Sequence, residues 1–390
     1  MKVGVLVNGF ERYGVRQAVL SLTDQLRRRG VGVRVFSIAR GPFTEELERL
    51  GVPLDDLGQD RVPAFAGASI PQRLSAFLRA RRAVRAIVPE LSRAIDAAEV
   101  NGLYVRWPNL VELAGRACVG TGARAFWHMP NIVGSTLPFG LNRRYFQRLC
   151  RRYRVVPMAN STFTAKTLGD RPVRPEVLYV GTDAERFDPQ RVEGRGRAEL
   201  GLGGDAIVLG IVSRVDRSKG HDRVLRAMLS CTHPLAARLV LLAVGGPADG
   251  PYAEELRSIA AGAGAEDRLR LVGRVDDVPR WYGVIDIAVN GRVDPEPFGQ
   301  SVVEAMLMKR PIVVHALGGP AESVVDGQTG WHVNSPEVDA WERAIHRVLD
   351  DREAWPRMGE AARSRSLELY SASAMCDRFL DLVSRYGASS

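Results

Sequence analysis

Lysine is almost missing from this chain: of 54 lysines and arginines only Lys2, Lys166, Lys219 and Lys309 are lysines, which leaves 50 arginines. That imbalance points to a GC-rich coding sequence rather than to a function. Cysteine is equally sparse. Cys118, Cys150, Cys231 and Cys376 are scattered, with no Cys-x-x-Cys pair and no histidine at ligand spacing, so neither a zinc site nor a disulfide framework is expected. No apolar run has the length of a membrane-spanning helix. Residues 1–8 lack the longer apolar region and small-residue cleavage site of a secretory signal, and are expected to form the first buried strand of a cytoplasmic protein. Low-complexity tracts and repeats at solenoid spacing are absent as well.

What is present is the composition of a soluble globular protein, 45% hydrophobic and 25% charged over 390 residues, a length that suits two domains better than one. The net charge of +9 is compatible with nucleic acid, an anionic membrane or a phosphorylated substrate, and selects none of them.

The order of elements is more informative. Residues 3–7 form an apolar run; residues 17–29 carry Val19, Leu22 and Leu26 at helical spacing, with Gly30 at the expected C-cap; residues 31–38 read as a second strand. This βαβ unit demands a parallel pair and a right-handed crossover. Further strands are expected at 102–105, 123–127 and 155–158, and a second series at 207–212, 239–244, 269–272, 285–289 and 311–315, after a polar, glycine-rich linker at 191–205. Helical pattern at 353–369 and 374–386 closes the chain. The fold class is therefore α/β, with two Rossmann-like doubly wound domains and a cleft between them.

The segment richest in chemistry is Pro295-Glu296-Pro297-Phe298-Gly299-Gln300-Ser301-Val302-Val303-Glu304-Ala305-Met306. Pro297 holds the first glutamate in a loop, and Gly299 opens a helix whose free amides and dipole favour a diphosphate. Glu304, about one turn inside, is placed to accept hydrogen bonds from a ribose diol, as acidic residues do in dinucleotide folds. An ordinary loop and a solvated helix are the plain alternative. The surrounding sequence favours the first reading, because the Glu-x7-Glu segment resembles the donor site of the retaining GT-B glycosyltransferases of family 4, also called group 1. The resemblance implies that Glu296 contacts the transferred sugar, that amides near Phe298, Gly299, Gln300 and Ser301 meet sugar and phosphate, and that Glu304 binds the ribose.

Other segments extend the likeness. Ser213-Arg214-Val215-Asp216-Arg217-Ser218-Lys219-Gly220 resembles the family's strand-end segment, in which Arg214 and Lys219 would clamp the diphosphate and neutralise the leaving group. Residues 178–187, with Gly181 and Phe187, resemble the interdomain hinge, although Tyr179-Val180 departs from the usual pattern. Residues 271–275 with Trp281-Tyr282 resemble the wall of the nucleotide base, where Arg274 would offer backbone contacts, and Gly318-Gly319-Pro320 is similar to a scaffold loop beside the donor helix. In the first half, Gly14 stands where the family uses amides on the diphosphate, Tyr13 replacing the first of two glycines. His128 resembles the family's active-site histidine and would line the sugar pocket.

On this resemblance residues 1–188 are the acceptor-binding domain, 189–368 the donor-binding domain, and 369–390 a helix packing back toward the first. The implied reaction moves a sugar from a nucleotide-sugar, with UDP favoured, to an acceptor hydroxyl with retention, Arg214, Lys219, Glu296 and His128 forming the catalytic group. No Asp-x-Asp triple occurs, so no metal and no tightly bound cofactor are expected. A sugar-nucleotide epimerase or a sugar phosphorylase would share the architecture, and the discriminator is whether an acceptor receives the sugar. A nucleic-acid binder rests on charge alone, and a non-catalytic nucleotide-sugar binder is opposed by the intact motif. Leu74, Phe77, Leu78, Val84, Ile87, Val88 and Leu91 form an apolar stripe beside Arg79, Arg82 and Arg85, and Arg143, Arg144, Arg148, Arg151 and Arg152 add a basic cluster. A core-facing stripe with a solvated basic back is preferred over peripheral docking on an inner membrane face.

Overall fold

The computed structural model describes residues 1–11, 13–59, 62, 70–134, 140–194 and 196–387. The chain divides into two compact units, Met1–Gly181 with Ala372–Ser390, and Thr182–Ser371. The division falls after Gly181 and Ser371 rather than after 188 and 368, because the two segments meet there: the Thr182 amide donates to the Tyr370 carbonyl at 2.8 Å, and Thr182 and Ser371 form a parallel bridge.

Unit 1 runs β1 (Lys2–Val7), α1 (Tyr13–Arg28), β2 (Gly32–Ser37), α2 (Pro42–Arg49), β3 (Leu54–Asp56), α3 (Ile70–Ala97), β4 (Gly102–Val105), α4 (Val111–Ala117), β5 (Arg124–Met129), α5 (Leu141–Arg152), β6 (Val156–Ala159), α6 (Thr162–Leu168) and β7 (Glu176–Val177). Val19, Leu22 and Leu26 are buried along one face of α1, and the helix stops where Val31 N–H bonds Leu26 O and Gly30 N–H bonds Arg27 O, with Gly30 at φ +70°. That pair of bonds needs a left-handed residue, which glycine adopts without strain. All pairings are parallel, in the order β3-β2-β1-β4-β5-β6-β7. Neighbouring strands whose connections run in opposite directions, β1 and β4, mark the switch point where open α/β sheets bind ligands at their carboxyl ends.

The apolar stripe of α3 belongs to the core. Val84, Ile87 and Leu91 are buried among the strands, Leu78 is 54% exposed, and Arg79, Arg82 and Arg85 face solvent. The side chain of Leu74 lies outside the described residues. Among the described residues no helix is long and apolar enough to cross a membrane.

Unit 2 runs β8 (Ile207–Val212), α7 (His221–Ser230), β9 (Leu239–Val244), α8 (Pro251–Gly262), β10 (Leu269–Gly273), α9 (Pro279–Tyr282), β11 (Ile287–Asn290), α10 (Gln300–Leu307), β12 (Ile312–His315), α11 (Pro320–Ser323), β13 (Gly330–Val333), α12 (Val338–Asp350) and α13 (Trp355–Tyr370). Its strands are parallel in the order β10-β9-β8-β11-β12-β13, so its switch point lies between β8 and β11. The last helix, α14 (Ala372–Gly387), is part of unit 1, where Phe379 packs edge-on to Tyr104 and Phe126 at 5.4 and 5.7 Å. Burying one such aromatic contributes about 2–3 kcal/mol, enough to seat the helix with Met375, Leu382 and Val383 beside it.

Candidate functional site

Two loops at the carboxyl ends of β8 and β11 build the centre of the site. They touch through glycine: Gly220 has φ +69°, and a Cβ there would lie 2.0 Å from the Gly291 carbonyl oxygen. A side chain at 220 would drive the loops apart. The Val293 amide also donates to Ser218 O at 3.0 Å. This stitching brings Lys219 and Glu296, 77 positions apart, to 3.5 Å, with Arg292 Nη1 2.9 Å from the same carboxylate oxygen. Two cations thus flank one carboxylate in a largely buried setting, where such pairs are stronger than on the surface.

The loop carrying Glu296 is pinned from the other side as well. The Gly319 amide donates to Glu296 O at 2.8 Å, and Glu296 forms a parallel bridge with Gly318. Gly318 sits at φ +89°, and a Cβ there would meet the Glu296 carbonyl oxygen at 2.3 Å. The scaffold glycines therefore fix the position of the glutamate. Gly299 caps α10, and the first-turn amides of Gln300 and Ser301 have no carbonyl four residues earlier within the helix. The Gln300 side chain donates to Thr182 Oγ1 at 2.7 Å, and Phe298 is buried edge-on to Tyr370.

Glu304 is half-buried on α10. Its carboxyl is pushed up to about 7 by burial, which the charge of Arg186 and side-chain hydrogen bonds from Tyr282 and Gln300 only partly offset. The Tyr282 hydroxyl reaches the Ser301 carbonyl at 3.1 Å and the Glu304 carboxylate at 3.4 Å. A carboxylate at this cost in burial, with so few donors, is suited to hydroxyls arriving from a ligand.

The other predicted residues are not part of this cluster. Arg214 is exposed and pairs with Asp216 at 3.3 Å, an ion pair in high dielectric that adds little. Arg274 is exposed and its side chain makes no hydrogen bond among the described residues. Arg292 is the residue the sequence reading missed; an arginine four positions before Glu296 was the available signal.

In unit 1, Gly14 is exposed near the start of α1, and a Cβ there would meet nothing within 4 Å, so the fold itself does not need glycine at that position. His128 is 0% exposed, with Nδ1 2.6 Å from Tyr104 Oη and 3.0 Å from Arg106 Nη1, and Nε2 2.8 Å from Leu178 O. Strands of a parallel sheet are covered on both faces, so a strand-end histidine need not reach a cleft. Because Arg106 only donates, Nδ1 is the acceptor and Nε2–H donates to Leu178. Burial and the Arg106 charge hold His128 well below the usual histidine range. Nearby, the buried Glu11 accepts from the Asn8 and Gly9 amides at 2.6 and 3.0 Å and from Trp107 Nε1 at 3.0 Å. Among the described residues no cluster of three or more His, Cys, Asp or Glu is arranged to hold a metal ion.

Residues 194–365 match the family model of the glycosyl transferases group 1. Along 95% of its length the chain is 27% identical to a D-inositol 3-phosphate glycosyltransferase of a Nocardioides species, covering 85% of that protein. A Streptomyces coelicolor protein of the same name is 32% identical over 49% of this chain, an alignment that spans about half of that relative, 46%. Two solved structures share the fold: a glycosyltransferase from Rickettsia africae, at 18% identity and TM-score 0.81 with 100% of this chain and 99% of that one covered, and Anabaena HepE in complex with UDP, at 21% identity and TM-score 0.78 with 99% and 100% covered. The fold is GT-B, and family match and fold together support a group 1 glycosyltransferase.

Proposed function

We propose that this chain transfers a sugar from a nucleotide-sugar, with UDP the favoured nucleotide, to an acceptor hydroxyl with retention at the anomeric carbon. The observation that carries the reading is the joining of Lys219, Arg292 and Glu296 at the β8/β11 switch point, directly before the open amides of α10. In this reading Lys219 and the amides of Gln300 and Ser301 hold the diphosphate as its charge grows during departure, Arg214 swings in from solvent to join them, and Glu304 takes the ribose diol. Glu296, fixed by Arg292 and by the Gly318–Gly319 loop, contacts the transferred sugar. The acceptor hydroxyl attacks from the face that the diphosphate leaves, and a phosphate oxygen receives its proton. Charge stabilisation of the leaving group falls to side chains and amides, so the reaction is proposed to run without a metal. Residues 1–188 are proposed to take the acceptor, with His128 positioning Arg106.

The relatives' names and the UDP bound to HepE support this donor and a polyol acceptor. The test is a panel of UDP-, GDP-, ADP- and dTDP-sugars followed by thermal stability and slow donor hydrolysis, in wild type and Glu304→Ala, with and without a chelator. One donor should stabilise the wild type and be hydrolysed, the variant should lose both, and the chelator should change neither. No response to any donor at millimolar concentration refutes the reading.

A further inference from the structure

Strand β12 ends at His315, a residue only 7% exposed at the carboxyl edge of the unit 2 sheet. Its Nδ1 lies 2.8 Å from the carbonyl oxygen of Arg292. A carbonyl only accepts, so Nδ1 carries the proton and Nε2 keeps the lone pair. The bond matters because of where Arg292 stands. Residues 291–295 lie between β11 and α10 in neither helix nor strand, and among the described residues no backbone amide donates to the Arg292 carbonyl. The Arg292 amide reaches the Asn290 side chain at a long 3.4 Å. The imidazole therefore fixes the backbone from which the flexible arginine stem must place Nη1 2.9 Å from Glu296 Oε2. His315 holds the other end of the segment as well. Its carbonyl accepts from the Leu317 amide at 2.7 Å, the Leu317 carbonyl accepts from the Glu296 amide at 3.4 Å, and the Gly319 amide donates to Glu296 O at 2.8 Å. By ring and by backbone, His315 joins both members of the Arg292–Glu296 pair.

We propose that His315 is a positioning residue of this site: its Nδ1–H holds the Arg292 backbone so that the guanidinium meets the Glu296 carboxylate. It touches no reacting atom and acts through Arg292. The inference rests on the proposed transfer reaction, in which Glu296 contacts the transferred sugar, and adds the group that sets the geometry of that contact. A displacement of about 1 Å near reacting groups can cost up to about 100-fold in rate. Among the described residues His315 makes no hydrogen bond to Lys219 or to α10, the groups proposed to hold the diphosphate. Loss of the imidazole should therefore lower kcat and leave the KM for the donor nearly unchanged.

The experiment uses the full chain and the best nucleotide-sugar of the panel. It measures kcat and KM for donor hydrolysis, with melting temperatures, in wild type, His315→Ala, His315→Asn, His315→Gln, Arg292→Ala and the His315→Ala/Arg292→Ala double variant. His315→Ala should lose about tenfold in kcat, with KM within about twofold of wild type. His315→Asn, whose side-chain amide can stand where Nδ1 stands, should recover to within about threefold of wild type, and His315→Gln, whose amide lies one bond further out, should not. The double variant should be no slower than Arg292→Ala alone, because residues that act as one unit do not add their losses. Equal kcat in wild type and His315→Ala, a KM that rises as much as kcat falls, no recovery in His315→Asn, or losses that multiply in the double variant would overturn the inference. Nitrogen NMR of the wild-type imidazoles decides the matter even where a variant fails to fold: at about pH 8 the His315 ring should carry its proton on Nδ1, and a bare Nδ1 overturns the inference. A wild type that hydrolyses a donor no faster than His315→Ala sinks this inference alone. A wild type that neither binds nor hydrolyses any donor removes the transfer reading and this inference with it.

Discussion

Lowering the pH from 8 to 6 should weaken donor binding about tenfold, and Glu304→Gln should abolish that dependence. A ribose diol presents two hydroxyl donors, which only the ionised carboxylate accepts fully. With the Glu304 carboxyl at about 7 in the free protein, about a tenth of the molecules carry the carboxylate at pH 6 and about nine-tenths at pH 8. Binding selects the ionised form, so affinity rises with pH and the proton is released. The ligand should be the best nucleotide-sugar of the panel, because the terminal phosphate of a free nucleotide titrates near pH 6 and would add its own slope. Calorimetry at pH 6, 7 and 8, in two buffers of different ionisation heat, gives the affinity and counts the protons, about half of one at pH 7. A wild-type affinity constant within twofold across this range, or the same slope in Glu304→Gln, refutes the role given to Glu304.

Three further outcomes follow from the geometry. Arg292→Ala removes a charge-assisted hydrogen bond to Glu296, so kcat should fall about 10- to 100-fold while the melting temperature stays within a few degrees; unchanged kcat in steady-state assays would remove Arg292 from the site. Gly318→Ala places a methyl against the Glu296 carbonyl at an unfavourable φ and should cost about 2 kcal/mol in urea unfolding along with activity, whereas a neutral result contradicts the clamp. His221 is buried, with its pKa lowered to about 4 chiefly by loss of solvation. The unfolded chain therefore takes up the proton first, and stability present above about pH 6.5 is lost as pH falls toward 4, by about 3 kcal/mol in all. Urea midpoints between pH 7 and 4 should show that loss in wild type and a smaller one in His221→Gln.

Much of the architecture was legible because each strand and helix carries its own periodicity. The strands at 102–105 and 207–212 and the end of α1 at Gly30 need only local sequence to be recognised. The strands β3, β7 and β13 were not read, being two to four residues long and held by pairing with neighbours rather than by pattern. The Glu-x7-Glu segment and Lys219 were found by likeness to a family. Arg292 was not, because its partner is set by the turn between β11 and α10.

Sequence alone determined two parallel α/β sheets, the helix that opens at Gly299, and the acidic and basic residues at strand ends, since apolar spacing and glycine placement act over a few residues. Tertiary structure alone decided which of those charges meet. Arg214 and Lys219 look equivalent along the chain, yet one is exposed beside Asp216 and the other faces Glu296 because Gly220 lets two loops touch. His128 and Arg106 are buried together by strands and a loop up to 72 residues apart, as Arg106 and Leu178 are, and burial of that kind depends on every element packed around a residue rather than on its neighbours in sequence.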